Sequence, residues 1–252
     1  MLVIGKNPIL EALRTNPKDI NKILLLKNMK PEPRLKEIIS LSQDNGIKFQ
    51  FLHKPDFIKY FQNKDKTEGI SQGVVGFMKD YEYKSLRDMV KDLEPVKTPL
   101  ILLLDEITDP HNLGSIARSA VCLGADGIII PRHNSAEVNH TVIKTSSGAV
   151  NYIPIAMETN LSNSIRYLKD NGYFITGADS KAEKNSFEMN FDMKTGLVIG
   201  SEGSGMRKSI RDNCDRLVRI PMAGRFDSLN ASVSAAVLIY EIFRQKNKGL
   251  GK

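Results

Sequence analysis

Cysteine is nearly absent from this chain: Cys122 and Cys214 are the only two in 252 residues, with no C-x-x-C pair and no Cys/His cluster at metal-ligand spacing. That argues against a disulfide framework and a structural zinc site, and for a reducing compartment with no bound metal. Long apolar runs are missing as well. None approaches the roughly 18–20 residues of a membrane-spanning helix, and the start, MLVIGKNPILEAL, is interrupted by Gly5, Lys6, Asn7 and Pro8 before a signal-type core develops. A cytoplasmic protein is expected. The common nucleotide fingerprints are also wanting. The glycine loop at 200–206 reads G-x-x-G-x-G instead of the dinucleotide pattern, and no Lys-Ser or Lys-Thr directly follows its last glycine. The loop after the first strong strand supplies only Gly114, which counts against a nicotinamide-dependent dehydrogenase.

What is present is a globular balance, 41% apolar and 26% charged, enough to build a real core. The net charge of +7 is uneven: residues 1–79 carry 14 Lys and Arg against 8 Asp and Glu, residues 80–98 carry 4 against 5, and the remainder 18 against 16. A basic N-terminal region beside a nearly neutral remainder suggests a polyanion-binding module attached to something else, although a lysine-rich solvated surface accounts for the charge equally well.

Periodicity predicts a small α/β unit over 1–79, with helices at 8–15, 33–45 and 54–62 and strands at 22–26, 48–52 and 74–79. The charged stretch 80–98 has a possible short helix at 85–93, and Pro95 and Pro99 bracket its end, as in an interdomain linker. From residue 99 to 252 strands and helices alternate. LILLL opens this region as a strand buried on both faces, and further strands are predicted at 127–131, 152–156, 173–178, 197–200 and 217–221. Helices are predicted at 113–123, 136–145 and 161–170, with a short one from Met206 and a long final one. Such alternation predicts a mostly parallel sheet with helices on both faces, which binds ligands beyond the carboxyl ends of its strands.

Three loops stand at those strand ends. In DEITDPHNLGSIARSA, Asn112 is placed to cap a helix and Gly114 permits a close approach. Arg118 follows Asn112 by six residues, about 600° of helix, so the two cannot share a face. One site could use both only by wrapping the helix end or by recruiting a second subunit. In GSEGSGM, Gly200, Gly203 and Gly205 allow tight turns and exposed amides, while Glu202 disfavours phosphates and suits ribose hydroxyls or a positive centre. The third loop, IPMAGRFDSLNASVS, leads into the last helix with Ser228, Asn230, Ser232 and Ser234 crowded at its start, where one cap would suffice.

Together these loops resemble the three motifs of the SpoU/TrmH family of SPOUT-class RNA 2'-O-methyltransferases: N-L-G-x-x-x-R at 112–118, G-S-E-G-x-G-M at 200–206 and I-P-M-x-G-x-x-x-S-L-N-x-S-V at 220–233. In the first domain, G-x-x-x-x-x-E-A-L at 5–13 and Q-G-V-V at 72–75 are similar to the small ribosomal-protein-like RNA-binding domain of the family's ribosomal guanosine enzymes. The sequence departs from that pattern at Asn7-Pro8 and Ser71, and at Ala231 and Ser234, where Val and Ala are more usual.

The resemblance implies a homodimeric enzyme that uses S-adenosyl-L-methionine, with a C-terminal trefoil knot around the cofactor. It places the cofactor against Gly200, Ile220, Met222, Ser228 and Leu229, and the chemistry at Asn112, Arg118, Glu202, Asn230 and Ser232; Ser234, which departs from the pattern, is expected to be a small packing residue. Family proposals make Arg118 the base. A guanidinium is a poor proton acceptor and a strong bidentate donor, so gripping the target phosphate suits it better. The implied substrate is a guanosine of 23S rRNA. A tRNA ribose is the next choice, and a non-catalytic RNA-binding protein is the remaining class.

Overall fold

The chain's strongest local signals are short apolar runs that a sheet can bury, and a computed structural model shows where they go. It describes residues 1–15, 17–60, 72–224 and 228–247; Ser71 and the end of the helix predicted over 54–62 lie outside these. Two units divide the chain, Met1–Tyr81 and Glu82–Lys252.

In the first unit the elements are β1 (Leu2–Ile4), α1 (Lys6–Thr15), β2 (Ile20–Leu26), α2 (Pro33–Asp44), β3 (Lys48–Leu52), α3 (Lys54–Lys59) and β4 (Val74–Met78). The sheet order is β1-β4-β2-β3; β4 runs antiparallel to both its neighbours and β2 parallel to β3. Alternation along β2 divides the core. Ile23 and Leu25 pack with Ile9, Leu13 and Ile38 of α1 and α2, whereas Leu24 faces Phe57 and Val75. Periodicity missed β1, whose three residues are too few to display a repeat.

In the second unit the elements are α4 (Leu86–Asp92), β5 (Leu100–Leu104), α5 (Pro110–Cys122), β6 (Gly127–Pro131), α6 (His140–Thr145), β7 (Ile155–Glu158), α7 (Leu161–Asp170), β8 (Phe174–Ala178), β9 (Thr195–Ile199), α8 (Lys208–Arg211), β10 (Arg216–Val218) and α9 (Ala231–Lys246). All six strands are parallel, in the order β10-β8-β9-β5-β6-β7. Every residue of β5, β6 and β9 is buried, as expected of strands covered on both sides. Strand order reverses direction at β5, which lies between β6 and β9. The loops after β5 and β9 therefore leave the sheet side by side at its carboxyl edge.

Several boundaries differ from those predicted. Asp109, not Asn112, caps α5, accepting a hydrogen bond from the His111 amide at 2.8 Å. Asn112 thus lies inside the first turn, its side chain free for another use. The helix predicted from residue 136 starts at His140, capped by Asn139, and the strand predicted from 152 starts at Ile155, after a 3-10 turn over Ala149–Tyr152. Residues 80–98 contribute α4, capped by Ser85, and its Met89 is fully buried in the second unit's core.

Candidate active site

Gly200 ends the buried β9 strand, and the chain turns back on it at once. Ser201 and Gly205 exchange two backbone hydrogen bonds of 3.1 and 3.0 Å, and Gly205 takes a left-handed φ of 69°. A β-carbon on Gly200 would lie 2.3 Å from the Gly205 carbonyl carbon and the Met206 nitrogen, so only glycine fits there. Gly203, at the loop's tip, has nothing within 4 Å of such an atom.

The far end of this loop is tied to β5. Asp105, 0% exposed, accepts from the Arg207 backbone amide at 2.8 Å and from its guanidinium at 2.8 and 2.6 Å. These bonds raise the Arg207 pKa. Both residues lie outside the three sequence motifs. An acidic side chain directly after a wholly apolar strand was the available signal, because a carboxylate buried there needs a bonded cation.

Between this loop, the end of β10 and the start of α9 lies a cavity of about 370 Å³. All five residues expected at the cofactor, Gly200, Ile220, Met222, Ser228 and Leu229, line it. So do Glu202 and Gly203. Arg211, also in the lining, pairs with Asp179 at 3.1 Å.

Beside the cavity, the Asn230 amide donates to Asn112 Oδ1 at 3.1 Å and to Glu202 Oε2 at 2.9 Å, joining one residue from each of the three loops. Asn230 Oδ1 caps α9 by accepting from the Ser232 amide at 2.9 Å, and it takes the Ser232 hydroxyl at 2.6 Å. This resolves the crowding of polar residues. Asn230 is the cap, and Ser232 fixes its oxygen instead of facing the cavity. Ser228 lines the cavity, as does Ser234, which was expected only to pack.

The structure does not bring Arg118 to this cluster. Its exposed guanidinium donates to Ser147 Oγ at 3.2 Å, on a turn where Ser147 and Gly148 both have left-handed backbones, and it is not in the cavity lining. Gly114 is likewise not at the cavity. Its close approach is to α6, where a β-carbon would meet Thr145 Cβ at 2.8 Å and the Val142 carbonyl oxygen at 2.9 Å. No group of three or more His, Cys, Asp or Glu suited to a metal occurs among the described residues, and no helix among them is long and apolar enough to cross a membrane.

Comparison with known proteins bears on both units. Residues 99–240 match the model of the SpoU rRNA methylase family, and residues 2–84 match a model described as RNA 2'-O ribose methyltransferase substrate binding. A Bacillus subtilis protein named for the TrmH family of tRNA/rRNA methyltransferases is 39% identical over 246 residues, covering 97% of this chain and 96% of its own. A Staphylococcus saprophyticus protein of the same name is 39% identical over 252 residues, covering 98% and 96%. Among solved structures, the SpoU methyltransferase AviRb from Streptomyces viridochromogenes, in complex with the cofactor AdoMet, is similar with a TM-score of 0.70 and 26% identity. That match covers 99% of this chain and 91% of that one.

Proposed function

Because the chain belongs to the SpoU rRNA methylase family, we propose that it transfers a methyl group from S-adenosyl-L-methionine to the ribose 2'-hydroxyl of a guanosine in 23S rRNA, in the cytoplasm and without a metal. The single observation that carries this reading is the cluster of Asn112, Glu202 and Asn230 beside the cavity at the carboxyl ends of β8, β9 and β10.

The residues present fit the cofactor. The volume lies within the ~300–1,000 Å³ typical of ligand pockets. Ile220, Met222, Leu229 and Leu238 offer apolar surface to a purine, and the open Gly203 leaves backbone accessible. When bound, S-adenosylmethionine supplies a methyl group already activated on a sulfonium. The protein's own task is then to align a ribose hydroxyl for in-line attack and help remove its proton. Asn230 holds Asn112 and Glu202 in a fixed relation, and Ser232 holds Asn230. Arg118 grips the phosphate beside the target ribose.

Arg118 reaches this site, in our reading, across a homodimer interface. Two observations support that. Arg118 bonds to Ser147 and not to its own chain's cluster, and α9 exposes Val233, Val237 and Tyr240 along one stripe, at 45, 39 and 54%. A trefoil knot about the cofactor completes the reading. A tRNA ribose is the second possibility, since the relatives' names cover both RNAs. Mapping 2'-O-methylation in rRNA and tRNA from a strain lacking the gene, and again after complementation, tests the choice. One 23S guanosine losing its methyl group supports the proposal; an unchanged 23S map with a lost tRNA methyl group overturns it in favour of tRNA.

A further inference from the structure

In the first unit Phe51 is an exposed aromatic at the carboxyl end of β3, the sheet's edge strand, and 46% of it is accessible. Its ring is braced. It meets Phe49, itself packed against the core, edge-on with centroids 6.2 Å apart and planes at 85°.

The surroundings are cationic. Leu26 and Leu52 are register partners, so β2 and β3 deliver Lys27 and His53 side by side. The Lys27 amide donates to the Leu52 carbonyl at 2.7 Å, and Lys27 Nζ lies 3.2 Å from His53 Nε2. Asn28, with a left-handed φ of 67°, turns the chain directly after Lys27. Residues 20–31 and 45–55 together hold five lysines and His53 with no Asp or Glu. The carboxylates that follow each segment are occupied, Glu32 by Lys6 at 2.6 Å and Asp56 by Lys59 at 2.8 Å.

We propose that this end of the first unit's sheet seats a single-stranded segment of the substrate RNA, with one base stacked on Phe51 and the neighbouring phosphate held by Lys27 and His53. The inference rests on the RNA-methylation reading and adds a location and a form of RNA to it. An aromatic ring among cations is how single strands are gripped without base-specific bonds, and paired bases in an RNA duplex have no free face to stack.

The test uses the full chain and fluorescein-labelled oligouridylate, with a duplex RNA of equal length as comparison, read by anisotropy without cofactor. Phe51→Ala and Phe51→Leu should each weaken oligouridylate binding by about 5- to 100-fold, while Phe51→Tyr retains it. Lys27→Gln should lower the slope of log affinity against log salt by about 0.7. Unchanged Tm and cofactor affinity in each variant separate this from misfolding. Wild-type affinity in Phe51→Ala, or an equal loss for the duplex, overturns the inference. A Phe51→Ala protein that binds and methylates RNA like the wild type refutes this site alone, whereas a wild-type protein that transfers no methyl to any RNA refutes the reading beneath it.

Discussion

Asp105 and Arg207, 102 positions apart, form a clamp in which one buried carboxylate takes both the backbone amide and the guanidinium of its partner. The bond fixes the far end of the Gly200–Met206 turn to the end of β5. The cavity wall and the loop carrying Asn112 therefore share one anchor.

Breaking that clamp leaves a carboxylate without its cation. Arg207→Ala should lower unfolding stability by about 2–3 kcal/mol, a cost limited because the guanidinium is partly exposed and the backbone bond survives. The midpoint of urea denaturation measures it, and a shift below about 0.5 kcal/mol would show that the pair contributes little.

Two glycines of one loop should respond unequally. Gly200→Ala drives a methyl group into backbone atoms 2.3 Å away, so cofactor affinity by calorimetry should fall about 10-fold or more and stability by about 1–3 kcal/mol. Gly203→Ala meets nothing within 4 Å and should leave stability within about 0.5 kcal/mol. Equal effects would mean that the turn relaxes freely.

Arg118→Ala should bind cofactor almost normally and lose methyl transfer by about 100-fold or more. Mixed dimers that combine an Arg118→Ala subunit with an Asn230→Ala subunit should recover part of the activity. Recovery requires sites built across an interface; its complete absence would sink the shared-site proposal.

The apolar stripe on α9 predicts the oligomer. Val237→Lys, at a position 39% exposed in the single chain, should convert a dimer to a folded monomer in analytical ultracentrifugation. An unaltered dimer would place the interface elsewhere.

The two thiols should differ in reactivity. Cys122 is exposed, whereas burial pushes the Cys214 thiol up to about 12. At pH 8 a disulfide reagent should titrate one thiol in the native protein and two in urea. The linkage has a definite sign. Between about pH 8.5, where an unfolded thiol ionises, and pH 12, the unfolded chain loses a proton that the folded one keeps, so stability falls across that window.

Much of the fold was legible because burial on both faces leaves an unambiguous mark. LILLL and GIIIP are strands at the predicted places, and the helix Leu161–Asp170 coincides with the predicted one. Boundaries were harder where two capping residues compete. Asp109 and Asn112 can each start a helix, and only the hydrogen bond to the His111 amide decides between them. The strand predicted from 152 starts later because a 3-10 turn holds the chain through Tyr152, and Pro154, lacking an amide hydrogen, precedes the strand that forms.

The order of elements in the second unit, its parallel sheet and the three loops at its strand ends follow from the sequence alone, because periodicity and glycine placement act over a few residues. Which polar group serves which purpose was settled only in three dimensions. Asn230 is cap and bridge at once, Ser232 turns to that cap, Ser234 joins the cavity wall, and Arg118 bonds to Ser147 of its own chain, apart from the cluster. The hydrogen bonds of Asn230, Ser232 and Arg118 reach partners 2 to 118 positions away. Hydrogen bonds form between groups that the fold brings within about 3 Å, and no local pattern records that distance.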